Sequence, residues 1–178
     1  MRRQFCGLCG GVLQPRRLAG KDRQVCRDCK AVRYPDVRVA VSAIVYDGTG
    51  RILLVKRAIE PGYGRWVIPG GYAEQSESLA EAAVRETREE TLVDLGAPVL
   101  AGVYGPGSSG VATIVYMMAA ESPQDGGTGP ETQASRFFDN TEIPWDEVYF
   151  ASTRAAIRDW FKNWSQKRSD LTRRSGPE

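Results

Sequence analysis

The chain has 178 residues, 42% hydrophobic and 26% charged, enough for one ordinary globular core plus a small appendage. It contains no histidine, which excludes Ser-His-Asp and Cys-His nucleophile chemistry, His-ligated catalytic zinc and imidazole acid–base work; any acid or base must be Glu, Asp, Lys, Tyr or water. The formal charge of +2 divides unevenly: residues 1–38 carry a net +7, residues 39–153 a net −9 and residues 154–178 a net +4, so the acidic middle suits a metal site and the basic ends suit an anion or plain solvation.

Residues 1–35 hold all four cysteines, in PheCysGlyLeuCysGly and ValCysArgAspCysLys. Two CxxC pairs, Cys6 with Cys9 and Cys26 with Cys29, sixteen residues apart, read as a structural four-thiolate zinc site. Each knuckle offers two sulfurs to one tetrahedral ion, and small residues such as Gly7 and Gly10 let the backbone turn its amides toward the thiolates. Competing readings are a redox dithiol, which expects one CxxC opening a thioredoxin-like helix, and two disulfides, which expect a secreted chain. A segment this short cannot bury enough surface to fold alone, so the metal would supply its folding free energy. The unit looks like a zinc ribbon, and its cations (Arg16, Arg17, Lys21, Arg23, Arg27, Lys30 and Arg33) do not decide between nucleic acid, a protein partner and solvated charge.

Residues 36–166 carry the main domain. ValArgValAlaValSerAlaIleValTyr, residues 37–46, alternates like a half-buried strand, and AspGlyThrGly turns it into ArgIleLeuLeuValLysArg, which predicts a hairpin. TrpValIlePro leads into a glycine stretch; residues 99–104, residues 111–120 and ArgPhePhe near Phe137 predict further strands. A helix is predicted over residues 152–164, where Ile157, Trp160, Phe161 and Trp164 recur at helical spacing. Strands with two helices predict an α+β or α/β sandwich. Residues 122–130 read as a flexible loop and residues 167–178 as a disordered basic tail. The longest apolar run falls short of the roughly 20 residues of a membrane span, and the N-terminus has no signal-peptide core, so a soluble, cytoplasmic chain is expected.

The second predicted helix starts at Ser78, where SerLeuAlaGlu forms a capping box. Its apolar stripe, Leu79, Ala82 and Ala83, continues into Glu86 and Glu90, with Glu89 beside them. Carboxylates in apolar positions repel one another and hold raised pKa values unless cations neutralise them, which points to a divalent-metal cluster that Glu77 can also reach. Arg85, one turn before Glu89, suits a paired hydrogen bond to a carboxylate. Gly70 and Gly71 let a loop come close enough to add a backbone carbonyl and admit a phosphate. The competing reading is a surface helix laced with four-apart ion pairs.

Gly71, five residues, Glu77, seven residues and then ArgGluThrArgGluGlu resemble the signature of the Nudix hydrolases, and TrpValIleProGlyGly and ArgIleLeuLeuValLysArg are similar to the segments that precede it. The resemblance covers roughly residues 37–164. It implies an α/β/α sandwich with a mixed sheet and hydrolysis of a nucleoside diphosphate linked to another group, with Glu77, Glu86, Glu89 and Glu90 holding Mg²⁺ or Mn²⁺. The base would be a helix glutamate or Glu131. Arg57 and Arg65 are phosphate contacts or ordinary strand-end and loop charges; Tyr72, Tyr104, Trp145 and Phe150 are more often core than a stacking platform. The ribbon, GlyProGlu at Glu131 and IleProTrpAspGluValTyrPheAlaSer resemble the zinc-ribbon subgroup that cleaves ADP-ribose or FAD. The SerGlnProTrp motif of NADH-cleaving relatives is absent, while Pro106 lies near the distance at which ADP-ribose enzymes carry a proline. Alternatives are an NADH or nucleoside triphosphate pyrophosphohydrolase, or a non-catalytic nucleotide sensor whose ribbon binds nucleic acid or protein. Pairing through the N-terminal segments implies a homodimer.

The departures from the family pattern are Ser76 in place of Gly, Thr87 in place of an aliphatic residue and Leu92 in place of Gly. Thr87 is expected to project to the side of the metal face. Leu92 is expected to resist the left-handed turn that ends the helix, so that the helix runs on toward Asp94 and Gly96.

Overall fold

The computed structural model describes residues 5–105, 110–121 and 126–174; Pro106, part of the 122–130 loop and the end of the basic tail lie outside them. The chain divides into two units, Met1–Val37 and Arg38–Glu178.

In the first unit β1 (Leu13–Leu18), β2 (Lys21–Cys26) and β3 (Val32–Arg33) form an antiparallel sheet in that order. Ala19 and Gly20 join β1 to β2 in a two-residue turn, both at positive φ (48° and 74°), the twist that matches flanking strands. The buried apolar cluster amounts to Cys6, Leu13 and Cys26, far too little to hold the unit by burial alone.

The second unit is built on β4 (Arg38–Tyr46) and β5 (Ile52–Arg57), joined by the expected turn. Buried Asp47 organises that turn: Oδ1 accepts from the Thr49 and Arg51 amides and Oδ2 from Arg51 Nε at 2.7 Å. The two strands share only the Tyr46–Ile52 pair before they splay, and β6 (Trp66–Val67) fills the gap on β5 while β7 (Gly70–Tyr72) fills it on β4. After α1 (Leu79–Thr91) come β8 (Val99–Tyr104), β9 (Val111–Ala119) and β10 (Thr132–Phe138), in the order β10-β5-β4-β9-β8. β4 and β9 run parallel over Arg38–Tyr46 and the other pairs are antiparallel, so the sheet is mixed.

Alternation along the central strands divides the core between two faces. Val41, Ala43, Val45 and Leu53 pack with Ala82 and Ala83 of α1, whereas Ile44, Ile52 and Leu54 pack with Ile157, Trp160 and Phe161 of α2 (Ala151–Arg174). Helices on opposite faces of a mixed sheet make an α/β/α sandwich. The backbone of α2 is helical through Arg174, which corrects the expected disorder from residue 167 onward. GlnLysArgSerAspLeuThrArgArg contains no Pro or Gly, and several of its residues are good helix formers, so a helix already started has no reason to stop there.

One expectation for α1 needs correction. Thr87, expected beside the metal face, is fully buried, and its hydroxyl is satisfied by donating to the Ala83 carbonyl at 2.7 Å; Thr91 does the same to Thr87. Leu92 does not prolong the helix: it takes the left-handed conformation itself, φ 56° and ψ 21°, with its N–H bonded to the Arg88 carbonyl. Burial of Val93 and Leu95 and the Leu95–Ala120 bridge draw the chain back to the sheet, and this outweighs the steric cost at an exposed Leu92. Leu92→Gly is therefore expected to stabilise the protein by about 1 kcal/mol, raising Tm by roughly 2–4 °C; an unchanged or lower Tm in a thermal melt would refute the strain.

Candidate active site

The site forms where the end of α1 meets β7 beside β4. The capping box is complete: Ser78 Oγ accepts from Glu81 N–H while the Glu81 carboxylate accepts from Ser78 N–H. From this start, Ala82, Ala83 and Thr87 face the core, and the stripe ends on Glu90, only 8% exposed. Leu79, the first residue expected in the stripe, is instead 36% exposed.

Glu90 Oε2 accepts a hydrogen bond of 2.9 Å from Gly70 N–H. Gly70 sits at φ 149°, where a Cβ would lie 2.2 Å from the Val41 carbonyl oxygen; at Gly71 a Cβ would lie 2.3 Å from Glu86 Oε2. Glycine is thus required at Gly70, where backbone lies in the way, whereas a side chain at Gly71 would push the Glu86 carboxylate aside. Burial drives the Glu90 pKa up to about 7; the charges of Glu86 and Glu131 add to it, and the Gly70 amide and Arg57 oppose it. Glu86 is also raised, by burial first, with Glu89 and Glu131 adding to it and Arg85 opposing.

Arg85 binds the acids together. It grips Glu77 through Nε (3.0 Å) and Nη2 (2.6 Å), and Nη1 reaches Glu86 at 2.9 Å and Glu89 at 3.3 Å. Those bonds and the Glu74 amide hold Glu77 down at about 2. Both Glu77 oxygens are therefore engaged by Arg85, which makes Glu77 an anchor for the guanidinium in this arrangement. Glu89 points outward, its side chain 60% exposed.

Glu131 precedes β10 and is exposed; its carbonyl accepts from Ala58 N–H at 2.8 Å, and its charge raises both Glu86 and Glu90. Gly129 explains the GlyProGlu sequence: a Cβ there would lie 2.0 Å from the Glu89 carbonyl oxygen, so only glycine lets this loop close over the end of α1. Arg57 ends β5 with Nε donating to the Pro61 carbonyl at 2.8 Å and its guanidinium 5.6 Å above the Phe150 ring. Arg65 contributes a carbonyl that accepts from Arg57 N–H, while the residue is exposed. The structure thus gathers Arg57, Gly70, Gly71, Glu86, Glu90 and Glu131, keeps Glu89 at the rim and brings Arg65 near through its backbone.

Sequence reasoning missed Tyr149, whose ring packs on Gly62 and meets Phe150 edge-on at 4.8 Å, forming an aromatic wall beside Arg57. Of the aromatics it named, Tyr104 bonds Asp159 at 2.9 Å, and both it and Trp145 pack against the α2-side core. Tyr72 is exposed, 5.1 Å beneath the Arg38 guanidinium.

In the N-terminal unit the Sγ atoms of Cys6, Cys9, Cys26 and Cys29 all lie within 4.8 Å of one another, the one group of potential ligands so tightly convergent among the described residues. The Leu8 and Asp28 amides donate to Cys6 and Cys26 Sγ at 3.4 Å, and Gly10 and Lys30 close the two knuckles at positive φ. Burial works against ionisation of Cys26, yet the Cys29 and Asp28 amides bring it down to about 7. The donor set and its approach suit tetrahedral zinc.

Comparison with known proteins agrees with this geometry. The NUDIX domain family model matches residues 36–161. The ADP-ribose pyrophosphatase of Methanocaldococcus jannaschii is 34% identical over 123 residues, 66% of this chain and 72% of that protein. The NAD-capped RNA hydrolase NudC of Stutzerimonas stutzeri is 36% identical over 95 residues, 53% of this chain, but this chain spans only 33% of that protein. The crystal structure of a NUDIX hydrolase from Nitrosomonas europaea superposes with a TM-score of 0.74 at 30% identity, over 87% of this chain and 88% of that one. With the family model spanning most of the chain and the carboxylate helix in place, the chain belongs to the NUDIX hydrolase family and is a pyrophosphohydrolase.

Proposed function

We propose that the chain cleaves the pyrophosphate of a nucleoside diphosphate joined to a second group, with ADP-ribose, giving AMP and ribose 5-phosphate, as the leading substrate. The observation that carries the reading is Glu90, buried beside Gly70 with Glu86 and Glu131 as like-charged neighbours. Such a group calls for added positive charge, and Mg²⁺ or Mn²⁺ held by Glu86 and Glu90, with Glu89 at the rim, fits that need. When bound, the ion neutralises the pyrophosphate and lowers the pKa of a water at the site.

The chain's own residues supply the rest. Arg85, anchored by Glu77, positions Glu86; Arg57 supplies a cation for a phosphate; the Gly70–Gly71 backbone leaves room for it. Glu131, exposed and with its charge felt by both Glu86 and Glu90, would take a proton from water. The Tyr149 ring, set edge-on to Phe150 and 40% exposed, offers an apolar contact to a nucleobase. Likeness to an ADP-ribose pyrophosphatase over most of that protein's length ranks ADP-ribose ahead of FAD, and the shorter likeness to NudC makes a nicotinamide dinucleotide the second reading. The four thiolates of the first unit would hold one structural zinc, with no ligand position left for chemistry.

Incubation of ADP-ribose, FAD, NADH and dGTP with Mg²⁺ or Mn²⁺, with products separated by chromatography, should show AMP from ADP-ribose fastest. Glu90→Gln should slow turnover about 10³-fold, since a lost site for the ion removes several kcal/mol of transition-state stabilisation. A folded, zinc-loaded protein that cleaves none of these compounds would refute the reading. A second test uses the zinc-loaded protein without Mg²⁺ or Mn²⁺. Because the folded pKa of Glu90, about 7, exceeds the ordinary 4.5, its stabilising contribution is complete below 4.5 and lost as pH rises through 7. Glu90→Gln should then melt several degrees above the native chain at pH 8 and at the same temperature at pH 4; an equal Tm at pH 8 would contradict the burial cost. Elemental analysis should find one zinc per chain, lost with the fold of the first unit in Cys26→Ser; a full complement in that variant would exclude the four-thiolate site.

A further inference from the structure

We infer that one face of the N-terminal sheet is a binding surface for single-stranded nucleic acid. Residues opposite one another in an antiparallel pair share a face, and the register sets Arg16 against Arg23 and Leu18 against Lys21. Alternation then gathers Arg16, Lys21 and Arg23 on one side of the hairpin. Among the described residues that side of the β1–β2 hairpin carries no acid. Two arginines directly opposite each other repel; here Arg23 turns to the Tyr34 ring and Arg16 to the Gln14 amide oxygen, and an anion between them would add to these neutral contacts. On the other side the arrangement is ordinary: Arg17 stands opposite Asp22 and pairs with it at 3.7 Å.

The charge of this unit survives zinc loading. Residues 1–37 carry nine basic and three acidic side chains, a net of +6, and four thiolates around a divalent ion subtract two, leaving +4. The same side carries a flat platform. Tyr34 is 64% exposed, and the Arg23 guanidinium lies 5.1 Å over its ring. Cations spaced roughly 7 Å apart along a strand, next to an aromatic face, suit a chain of phosphates whose unpaired bases can stack. A duplex keeps its bases stacked on one another and has no use for Tyr34. An acidic protein surface would satisfy the arginines but not the platform. This inference is independent of which nucleotide the second unit cleaves.

The test is fluorescence anisotropy of a labelled 12-nucleotide single-stranded RNA with the zinc-loaded full chain, without Mg²⁺ or Mn²⁺, across a series of KCl concentrations. With three phosphate contacts the slope of log affinity against log salt should be about −2. Arg16→Ala with Arg23→Ala should cut the slope to about −0.7, and the lysine pair Arg16→Lys with Arg23→Lys should restore it. Tyr34→Ala should weaken binding about 5- to 100-fold with the slope kept. Zinc content of one per chain confirms that each variant is folded. No binding at the lowest salt, or native affinity in the double alanine variant, would overturn the inference. So would a silent Tyr34→Ala with equal affinity for duplex, which would reduce the surface to a general polyanion contact.

Discussion

The hydrogen bond from Gly70 N–H to the buried Glu90 carboxylate joins the end of α1 to β7, and the geometry around it leaves little freedom. Gly70 must be glycine because the Val41 backbone lies beneath it and Gly129 because the Glu89 carbonyl lies under it, while a side chain at Gly71 would push the Glu86 carboxylate aside. Two separate segments, β7 and the loop before β10, are thereby fitted to one helix terminus. A carboxylate in that position is expensive to bury and would be replaced by an apolar residue if packing were the only demand. Its presence is best understood as a site that works with an added cation.

Arg85 answers a second demand, holding several acids near one another before any ion arrives. Its forked bond to Glu77 fixes the guanidinium, which in turn holds Glu86 and touches Glu89. The helix therefore presents two kinds of carboxylate. Glu77 is neutralised within the protein and held far below its usual range, whereas Glu86 and Glu90 are raised by burial and by their neighbours. The divergence separates an anchoring acid from the acids available to chemistry.

The sheet, both helices and the capping box were legible because they rest on local signals: alternation along residues 37–46, helical spacing of Ile157, Trp160 and Phe161, and the Ser78–Glu81 pairing. Glu90 was legible for the same reason, since periodicity places it on the buried stripe, with Glu86 half-buried beside it and Glu89 exposed at its edge. Tyr149 was not, because its position depends on contact with Gly62, far away in sequence. Leu92 misled because local preference opposes its conformation, and only burial of Val93 and Leu95 shows why the chain accepts it. Spacing brings Glu77 to the site, but its bond to Arg85 depends on the direction of the Arg85 side chain, which no periodicity encodes. The basic count of the first unit was equally mute until strand register set Arg16 opposite Arg23.

The central claim is that Glu90 and Glu86 form a divalent-cation site on α1. Its most direct test is Mn²⁺ binding followed by electron paramagnetic resonance of the free ion at pH 8, comparing the native chain with Glu90→Gln and with Glu77→Gln. The account predicts that Glu90→Gln weakens Mn²⁺ binding at least tenfold, and that Glu77→Gln, which loosens only the Arg85 anchor, weakens it less. Equal Mn²⁺ affinity in the native chain and Glu90→Gln would contradict the account and leave the buried carboxylate without the role assigned to it.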